Sequence, residues 1–372
     1  MKMKRVSKIL AAGLSLVFAA ALLTLSACGD SSVNGDSSGD PGGDGNGKIS
    51  SGVVNVYNWG EYIDESIFDD FEAETGVRVN YTTFQSNEEM YAAMKLGGAS
   101  YDLIIPSDYM VERLIDEDML EKLDFANIPN LDYISAARQK PAYDPTGEYS
   151  VPYMWSTVGL IYNSAMIEDA VTSWGALFDP TYAGQILMFN NPRDAFGIAL
   201  KYLGYSLNTT NEAEIRAAYD LLVEQKSILQ AYVMDQIFDK LEGGESAIGP
   251  YYTGDYLTMK EVNDDLRYVL PTEGSNVFTD AMCIPKGAEN KKNAELFINF
   301  MTSTDVSIAN MDITGYISPN EEAADEYAAT LDEEAAEVMF PSGDELARCE
   351  PFLNLPQETL DLYDQLWAEL KS

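Results

Sequence analysis

From residue 53 onward, segments with strand-like spacing of apolar residues alternate with segments of helix-like spacing, which predicts alternating strands and helices. The stretches VVNVYNW, VRVNYTTF and YDLIIPS have the length and the β-branched and aromatic content of strands. Between and after them, IDESIFDDFEAETG, SNEEMYAAMKLGG and YMVERLIDEDML have helical spacing. Gly76 is a natural stop for the first helix, and Ser86 with Glu89 forms a candidate capping box for the second. Such alternation predicts a parallel sheet covered by helices.

The middle and the end of the chain show the same alternation of predicted strands and helices. TVGLIYN, GQILMF and NVFTDAMCIP predict strands, whereas RDAFGIALKYLG, NEAEIRAAYDLLVEQK, KNAELFINFMTS and LPQETLDLYDQLWAELK predict helices. ESAIGPYYTGDYLTMK predicts a strand that runs into an aromatic loop. The fold class is therefore α/β, and 372 residues are enough for two domains. In sheets of this kind, ligands bind beyond the carboxyl ends of the strands.

The N-terminal segment has a different composition. Four basic residues within residues 1–8 precede an apolar run, residues 9–25, which predicts an export signal over residues 1–27. A membrane-anchoring helix is the alternative, because the run is long. The sequence LSAC resembles a bacterial lipobox, which favours cleavage and makes Cys28 the predicted lipidation site and mature N-terminus. Residues 28–52, rich in Gly, Ser and Asp, predict a flexible tether.

Charge and composition narrow the possible functions. The net charge is −38, and removing residues 1–27 removes four basic residues and no acidic one, which leaves −42. This balance argues against nucleic acid as a partner. The chain has no histidine, which excludes Ser-His and Cys-His catalysis and His-ligated metals. Cys283 and Cys349 could form a disulfide or remain two buried thiols. No cofactor and no metal are predicted.

Aromatic and acidic residues recur together in the loops at predicted strand ends. A cation over an aromatic ring gains roughly 0.5–2 kcal/mol, and a carboxylate adds a charge-assisted hydrogen bond. Ammonium groups joined by methylenes would use both kinds of side chain. These loops contain Trp59, Gly60, Glu61 and Tyr62; Ser107, Asp108 and Tyr109; Asn191, Pro192, Arg193 and Asp194; Tyr251 and Tyr252; Phe278, Thr279 and Asp280; and Gly315 and Tyr316.

Seven longer stretches resemble one family. VVNVYNWGEYID, FEAETGVRVNYTTFQSNEEMYAAM, YDLIIPSDYMV, SVPYMWSTVGLIYN, TSWGALFDPTYAGQI, DAMCIPKGAENKKNAELFINFM and GYISPN are similar, in order, to the periplasmic polyamine-binding proteins. Members of that family are the substrate receptors of spermidine/putrescine ABC importers. The resemblance runs from about residue 53 to the C-terminus. It implies a type II-like periplasmic-binding-protein fold, with two mainly parallel α/β lobes that are linked by crossing strands and close on a ligand.

The family's ligand-binding positions carry over to this chain unevenly. Tyr251 and Phe278 stand where the family usually has Trp, and Asn191 stands where some spermidine receptors have Asp. Glu350 lies near a position that is Gln in some of them. The resemblance implies that the other residues match: Trp59, Glu61, Tyr62, Ser107, Tyr109, Asp194, Asp280 and Tyr316. Glu61, Asp194 and Asp280 would then hold the ligand's nitrogens. The choice between putrescine and spermidine stays open.

The resemblance also implies a cellular role and a domain plan. The protein would be a non-enzymatic, monomeric receptor, lipid-anchored through Cys28, which delivers a polyamine to the permease subunits. It would sit on a Gram-positive surface, which is favoured, or in a Gram-negative periplasm. Lobe 1 is expected to comprise residues 53–157 and 279–335, and lobe 2 residues 158–278 and 336–372.

Two other functions are alternatives to this one. Glu61 and Asp280 could form the carboxylate pair of an extracellular glycosidase, but the chain lacks a nucleophile motif such as G-x-S-x-G. Alternatively, the same fold could bind another cation such as ferric iron, for which Tyr251 and Tyr252 would be candidate ligands. That hypothesis leaves Trp59, Glu61 and Asp280 without a role.

Overall fold

The computed structural model describes residues 52–60, 62–97, 100–136 and 138–372. The predicted signal peptide, the predicted lipidation site Cys28, nearly all of the predicted tether and the candidate ligand residue Glu61 lie outside these residues. Within the described part of the chain, no helix is long and apolar enough to cross a membrane.

The described residues form a mixed nine-stranded sheet with the order β2-β1-β3-β9-β4-β7-β5-β6, and β8 pairs with β4 off this path. The strands are β1 (Gly52–Trp59), β2 (Val77–Phe84), β3 (Leu103–Ile104), β4 (Ser150–Asn163), β5 (Ile186–Phe189), β6 (Leu229–Val233), β7 (Ile248–Tyr252), β8 (Leu266–Val269) and β9 (Val277–Cys283). The outer strands pair in parallel, as the alternating pattern predicts. All pairs that involve β4 or β9 are antiparallel.

Helices cover the sheet. They are α1 (Ile67–Thr75), α2 (Asn87–Leu96), α3 (Asp108–Asp116), α4 (Pro192–Tyr202), α5 (Glu212–Lys226), α6 (Gln236–Glu242), α7 (Thr253–Val262), α8 (Lys291–Met301), α9 (Thr304–Thr314), α10 (Glu321–Ala328), α11 (Glu333–Met339), α12 (Gly343–Leu346) and α13 (Gln357–Lys371).

The long strand β4 joins the two halves of the sheet. Its first half, from Ser150 to Thr157, pairs with β9, and its second half, from Val158 to Asn163, pairs with β7 and β8. Almost every residue of β4 is buried, so its sequence shows no alternation of polar and apolar positions. This explains why the sequence pattern indicates only its second half as a strand.

The hydrophobic core is divided at the same place. One part contains side chains of β1, β3, β9, α1 and α8, together with the first half of β4. The other contains side chains of β5, β7, α4, α5 and α13, together with the second half of β4. We refer to these as the first and second lobes. The predicted limits, residues 53–157 plus 279–335 and residues 158–278 plus 336–372, remain a proposal for where the lobes divide.

Local signals explain several boundaries, and two predictions are wrong. Gly76 ends α1 at φ 72°. Ser86 caps α2 by accepting a hydrogen bond from the Glu89 backbone N–H at 3.1 Å, but the Glu89 carboxylate accepts from Gln85 instead of Ser86. The capping box is therefore incomplete.

The second wrong prediction concerns the segment after β7. The predicted aromatic loop is absent, because Tyr252 is itself the N-cap and α7 begins at the next residue. The two cysteines left open by the sequence, Cys283 and Cys349, are free thiols in the structure.

Candidate functional site

A cavity of about 880 Å³ lies between the lobes, where β1, β7 and β9 meet the N-termini of α3, α4 and α7. Its lining brings together ten of the predicted site residues: Trp59, Tyr62, Ser107, Tyr109, Asn191, Asp194, Tyr251, Phe278, Asp280 and Tyr316. A further candidate, Glu61, is outside the described residues. The twelfth candidate, Glu350, is not part of the lining.

Asp280 is the buried anion of the first-lobe wall. It lies within β9, and only 3% of its surface is exposed. The Tyr62 hydroxyl donates to its Oδ2 at 2.7 Å and the Ser107 hydroxyl to its Oδ1 at 2.6 Å. Burial raises the pKa of Asp280 to about 6, although both hydroxyl donors lower it. Two neutral donors thus hold a carboxylate whose charge a ligand cation would balance.

Four aromatic rings continue from this carboxylate along the cavity. The ring centroids are 5.1 Å apart for Tyr62 and Tyr316, 5.9 Å for Tyr316 and Phe278, and 5.5 Å for Phe278 and Tyr252. All three contacts are edge-to-face, an arrangement that aromatic pairs prefer. Since Tyr252 belongs to the second lobe, the series spans both walls.

The second-lobe wall is built at the start of α4. Asn191 caps this helix, because its Oδ1 accepts a hydrogen bond from the Arg193 backbone N–H at 3.0 Å. Asp194 follows in the first turn and is 7% exposed, with the Tyr252 hydroxyl 3.5 Å from its Oδ2. Burial raises the pKa of Asp194 to about 7, and the positive charge of Arg193 lowers it.

Trp59 and Tyr109 are fixed by their polar atoms, so their rings have defined positions. The Trp59 indole N–H donates to the Ile105 carbonyl at 2.9 Å. The Tyr109 hydroxyl donates to Glu88 and accepts from the Asn87 amide, both at 3.0 Å. The Trp59 ring also packs against Phe84, with the ring centroids 4.6 Å apart, so the protein itself holds this part of the cavity wall in place.

Six carboxylates in the lining are not among the predicted ligand-binding residues, and Asp108 is the first of them. Asp108 is 3% exposed and accepts the backbone N–H groups of Tyr109 at 2.8 Å and Thr279 at 3.3 Å. Burial raises its pKa to about 8, and the negative charge of Asp280 acts in the same direction.

Asp255 and Asp235 are two more of these carboxylates, and each accepts a hydrogen bond from a tyrosine. The Tyr316 hydroxyl donates to Asp255 at 2.8 Å, and the Tyr251 hydroxyl donates to Asp235 at 3.0 Å. Asp255 lies in the segment that was predicted to be a loop, where an aspartate is ordinarily a turn or cap residue. Its placement in the first turn of α7 could not be predicted without recognising that helix.

The cavity is strongly acidic overall. Among the described residues that line it, eight are acidic and Arg193 alone is basic. The Arg193 side chain lies against aromatic rings, with its guanidinium 4.5 Å from the Phe352 centroid and 5.5 Å from that of Tyr109. The acidic lining is: Asp64, Glu65, Glu88, Asp108, Asp194, Asp235, Asp255 and Asp280. Such a lining suits a polycation.

Glu350 is engaged elsewhere. Its Oε1 forms an ion pair with Lys201 Nζ at 2.9 Å, and its Oε2 accepts from the Ser206 hydroxyl at 2.5 Å. Its backbone is paired with residues 275–277, beside the point where the chain passes between the lobes. The structure therefore gives the carboxylate a partner from its own chain.

Comparisons with known proteins agree with this architecture. The family model for bacterial extracellular solute-binding proteins matches residues 66–337. The spermidine/putrescine-binding periplasmic protein of Salmonella typhimurium is 32% identical over 320 residues, which cover 85% of this chain and 90% of that protein.

Two solved structures have the same fold. The spermidine/putrescine ABC transporter substrate-binding protein PotD of Streptococcus pneumoniae has a TM-score of 0.76 and 35% identity, covering 86% of this chain and 99% of that one. The TpPotD lipoprotein of Treponema pallidum has a TM-score of 0.77 and 28% identity, covering 86% and 99%. The predicted family resemblance and the predicted two-lobe fold class are confirmed.

Proposed function

The chain belongs to the family of bacterial extracellular solute-binding proteins, and from this premise we propose that it captures a linear polyamine for an ABC importer. The observation that carries the proposal is Asp280, a buried carboxylate held by Tyr62 and Ser107 in the wall of an acidic, ring-lined cavity. An ammonium group beside Asp280 would supply its missing countercharge. The ring series from Tyr62 to Tyr252 would line the methylene chain.

The second-lobe carboxylates would bind the other nitrogen atoms of the ligand. Asp194 and Asp255 lie in α4 and α7, second-lobe helices that contribute to the cavity lining, whereas Asp280 lies in β9 of the first lobe. A ligand bound to both walls favours the arrangement in which the lobes are close together. The closed receptor would then deliver its ligand to the permease subunits. Glu350 is left out of this proposed ligand set because Lys201 neutralises it.

The cellular placement is part of the proposal. We infer that residues 1–27 direct export, that Cys28 carries the lipid anchor and that a monomer is tethered by residues 28–52. Supporting this, the sequence LSAC precedes the tether, and the similar Treponema pallidum protein is described as a lipoprotein. Labelling with a radioactive fatty acid in cells tests the anchor, and a Cys28→Ala variant that is still labelled would refute it.

Isothermal titration calorimetry of residues 29–372 tests the ligand. Spermidine, putrescine, cadaverine and spermine are titrated separately, and at least one is expected to bind with micromolar or tighter affinity. The absence of heat with all four would overturn the proposal. Ferric iron would then be titrated next, because a tyrosinate charge-transfer absorption would identify Tyr251 and Tyr252 as ligands.

A further inference from the structure

Beside the cavity, the two lobes meet backbone to backbone at Gly254 and Gly315. Gly254 is the second residue of α7 in the second lobe, and Gly315 ends α9 in the first lobe. A methyl group on Gly254 would lie 2.5 Å from the Thr314 carbonyl oxygen and 2.8 Å from the Tyr316 ring. One on Gly315 would lie 2.8 Å from the Gly254 Cα. Since non-bonded carbon atoms prefer roughly 3.5–4.0 Å, neither glycine can gain a side chain unless the lobes move.

At Gly254, glycine is required because there is no room for a side chain, and not because of the backbone conformation. The residue lies in the first turn of a helix, outside the left-handed region. Alanine would suit that helix better than glycine, by up to about 1 kcal/mol. Gly315 differs, since its φ of 70° favours glycine as a helix C-cap in addition to the close contact.

The residues that follow the two glycines are both in the cavity wall. Asp255 follows Gly254, Tyr316 follows Gly315, and the Tyr316 hydroxyl joins them by donating to Asp255 at 2.8 Å. Tyr316 in turn contacts Tyr62, whose hydroxyl holds Asp280. The glycine contact therefore fixes the distance between a second-lobe carboxylate and the first-lobe wall.

We propose that Gly254 and Gly315 are positioning residues, which set the separation of the two walls and so determine polyamine affinity without touching the ligand. The inference rests on the proposed function and adds to it a determinant outside the ligand-contacting groups. A side chain at either position would hold the lobes apart and separate Asp255 from Tyr316.

Two matched pairs of variants test this proposal in residues 29–372, which retain every described residue. Gly254→Ala is compared with Gly343→Ala, because Gly343 also lies at the start of a helix but has no atom within 4 Å of an added methyl. Gly315→Asn is compared with Gly97→Asn, because Gly97 is a C-cap at φ 63° with no such neighbour. Asparagine tolerates this backbone conformation, so the pair isolates the contact.

Calorimetry with putrescine and spermidine, unliganded thermal unfolding and small-angle X-ray scattering are measured for all variants. Gly254→Ala and Gly315→Asn are expected to bind at least tenfold more weakly and to have a larger radius of gyration both with and without ligand. Their unliganded midpoints should match those of the controls. Wild-type affinity in both variants would overturn the proposal, as would a loss of affinity matched by the controls.

The same data separate this inference from the proposed function. If the wild-type protein binds no polyamine, the proposed function fails. The scattering comparison without ligand would still show whether Gly254→Ala moves the lobes apart, and an unchanged radius of gyration in that variant would refute the positioning role by itself. Should Gly254→Ala not fold, the asparagine pair decides the outcome.

Discussion

Replacing Asp280 with Asn is predicted to weaken ligand binding and, at the same time, to stabilise the unliganded protein. In the fold the carboxylate is 3% exposed, and its pKa is raised from 3.8 to about 6. Since each pKa unit corresponds to about 1.4 kcal/mol, the ionised form costs the unliganded fold about 3 kcal/mol. Asparagine has nearly the same shape and carries no charge, so most of this cost should disappear.

The sign of the pH dependence follows from the same shift. A carboxylate with a raised pKa is more protonated in the folded than in the unfolded state between about pH 4 and pH 6, so the stability of the wild-type fold falls as pH rises through that window. The two proteins should therefore be about equally stable at pH 4. At pH 8 Asp280→Asn should be more stable by up to about 3 kcal/mol, or several degrees in the unfolding midpoint.

Affinity should change in the opposite direction. Hydrogen bonds to charged groups contribute roughly 1.5–3 kcal/mol, so Asp280→Asn should bind polyamines about 10- to 100-fold more weakly. Calorimetry at pH 8 and unliganded thermal unfolding at pH 4 and pH 8 measure the two effects, with exposed Asp169→Asn as a neutral control. Lower stability of Asp280→Asn at pH 8 would refute the reasoning and make the carboxylate a structural anchor. Unchanged affinity would remove it from the binding site.

The remaining predictions concern the pH dependence of ligand binding and Glu350, the candidate residue that does not line the cavity. Polyamine affinity should rise between pH 5 and pH 8, because ammonium groups bind ionised carboxylates and the pKa values of Asp280, Asp194 and Asp108 are raised to about 6, 7 and 8. An affinity that does not change with pH would contradict this. Binding at pH 7.5 should release protons, which calorimetry detects as a binding heat that depends on the ionisation enthalpy of the buffer. Asp108→Asn should reduce this proton release, and an equal release in the variant would exclude Asp108 as its source. Glu350→Gln should change polyamine affinity by no more than about threefold. It should lower the unfolding free energy by about 1–3 kcal/mol, because the largely buried Lys201 loses its charged partner. A tenfold loss of affinity would return Glu350 to the proposed ligand set.

The features predicted well from sequence are those with local causes. Val77–Phe84 has the strand pattern and is a strand, and Gly76 ends the preceding helix because a left-handed C-cap needs glycine. Aromatic and acidic residues at predicted strand ends reach the same cavity because those ends meet between the lobes. Periodicity indicated the loops in which these residues lie, and the family resemblance was needed to select the individual positions.

The features that were missed depend on contacts between distant residues. From the sequence, Glu350 was a candidate ligand-binding carboxylate. Its ion-pair partner Lys201 lies 149 positions away and could not be recognised from local sequence. Asp255 receives its hydrogen bond from Tyr316, 61 positions away, inside a segment whose Thr-Gly-Asp composition indicates a loop. Strand β8 was not predicted, because its four residues, LRYV, form neither a continuous apolar run nor a regular alternation of apolar and polar positions.

The passage of β4 between the lobes has a consequence for how this protein is made. The first lobe needs β9 and α8, which lie beyond residue 276, and the second lobe needs α13 at the end of the chain. A nascent chain that has emerged only to residue 276 therefore cannot complete either core. Because members of this family work outside the cell, their chains must cross a membrane first. We therefore expect a topology that delays closure of both lobes to favour an unfolded chain until most of it has been synthesised.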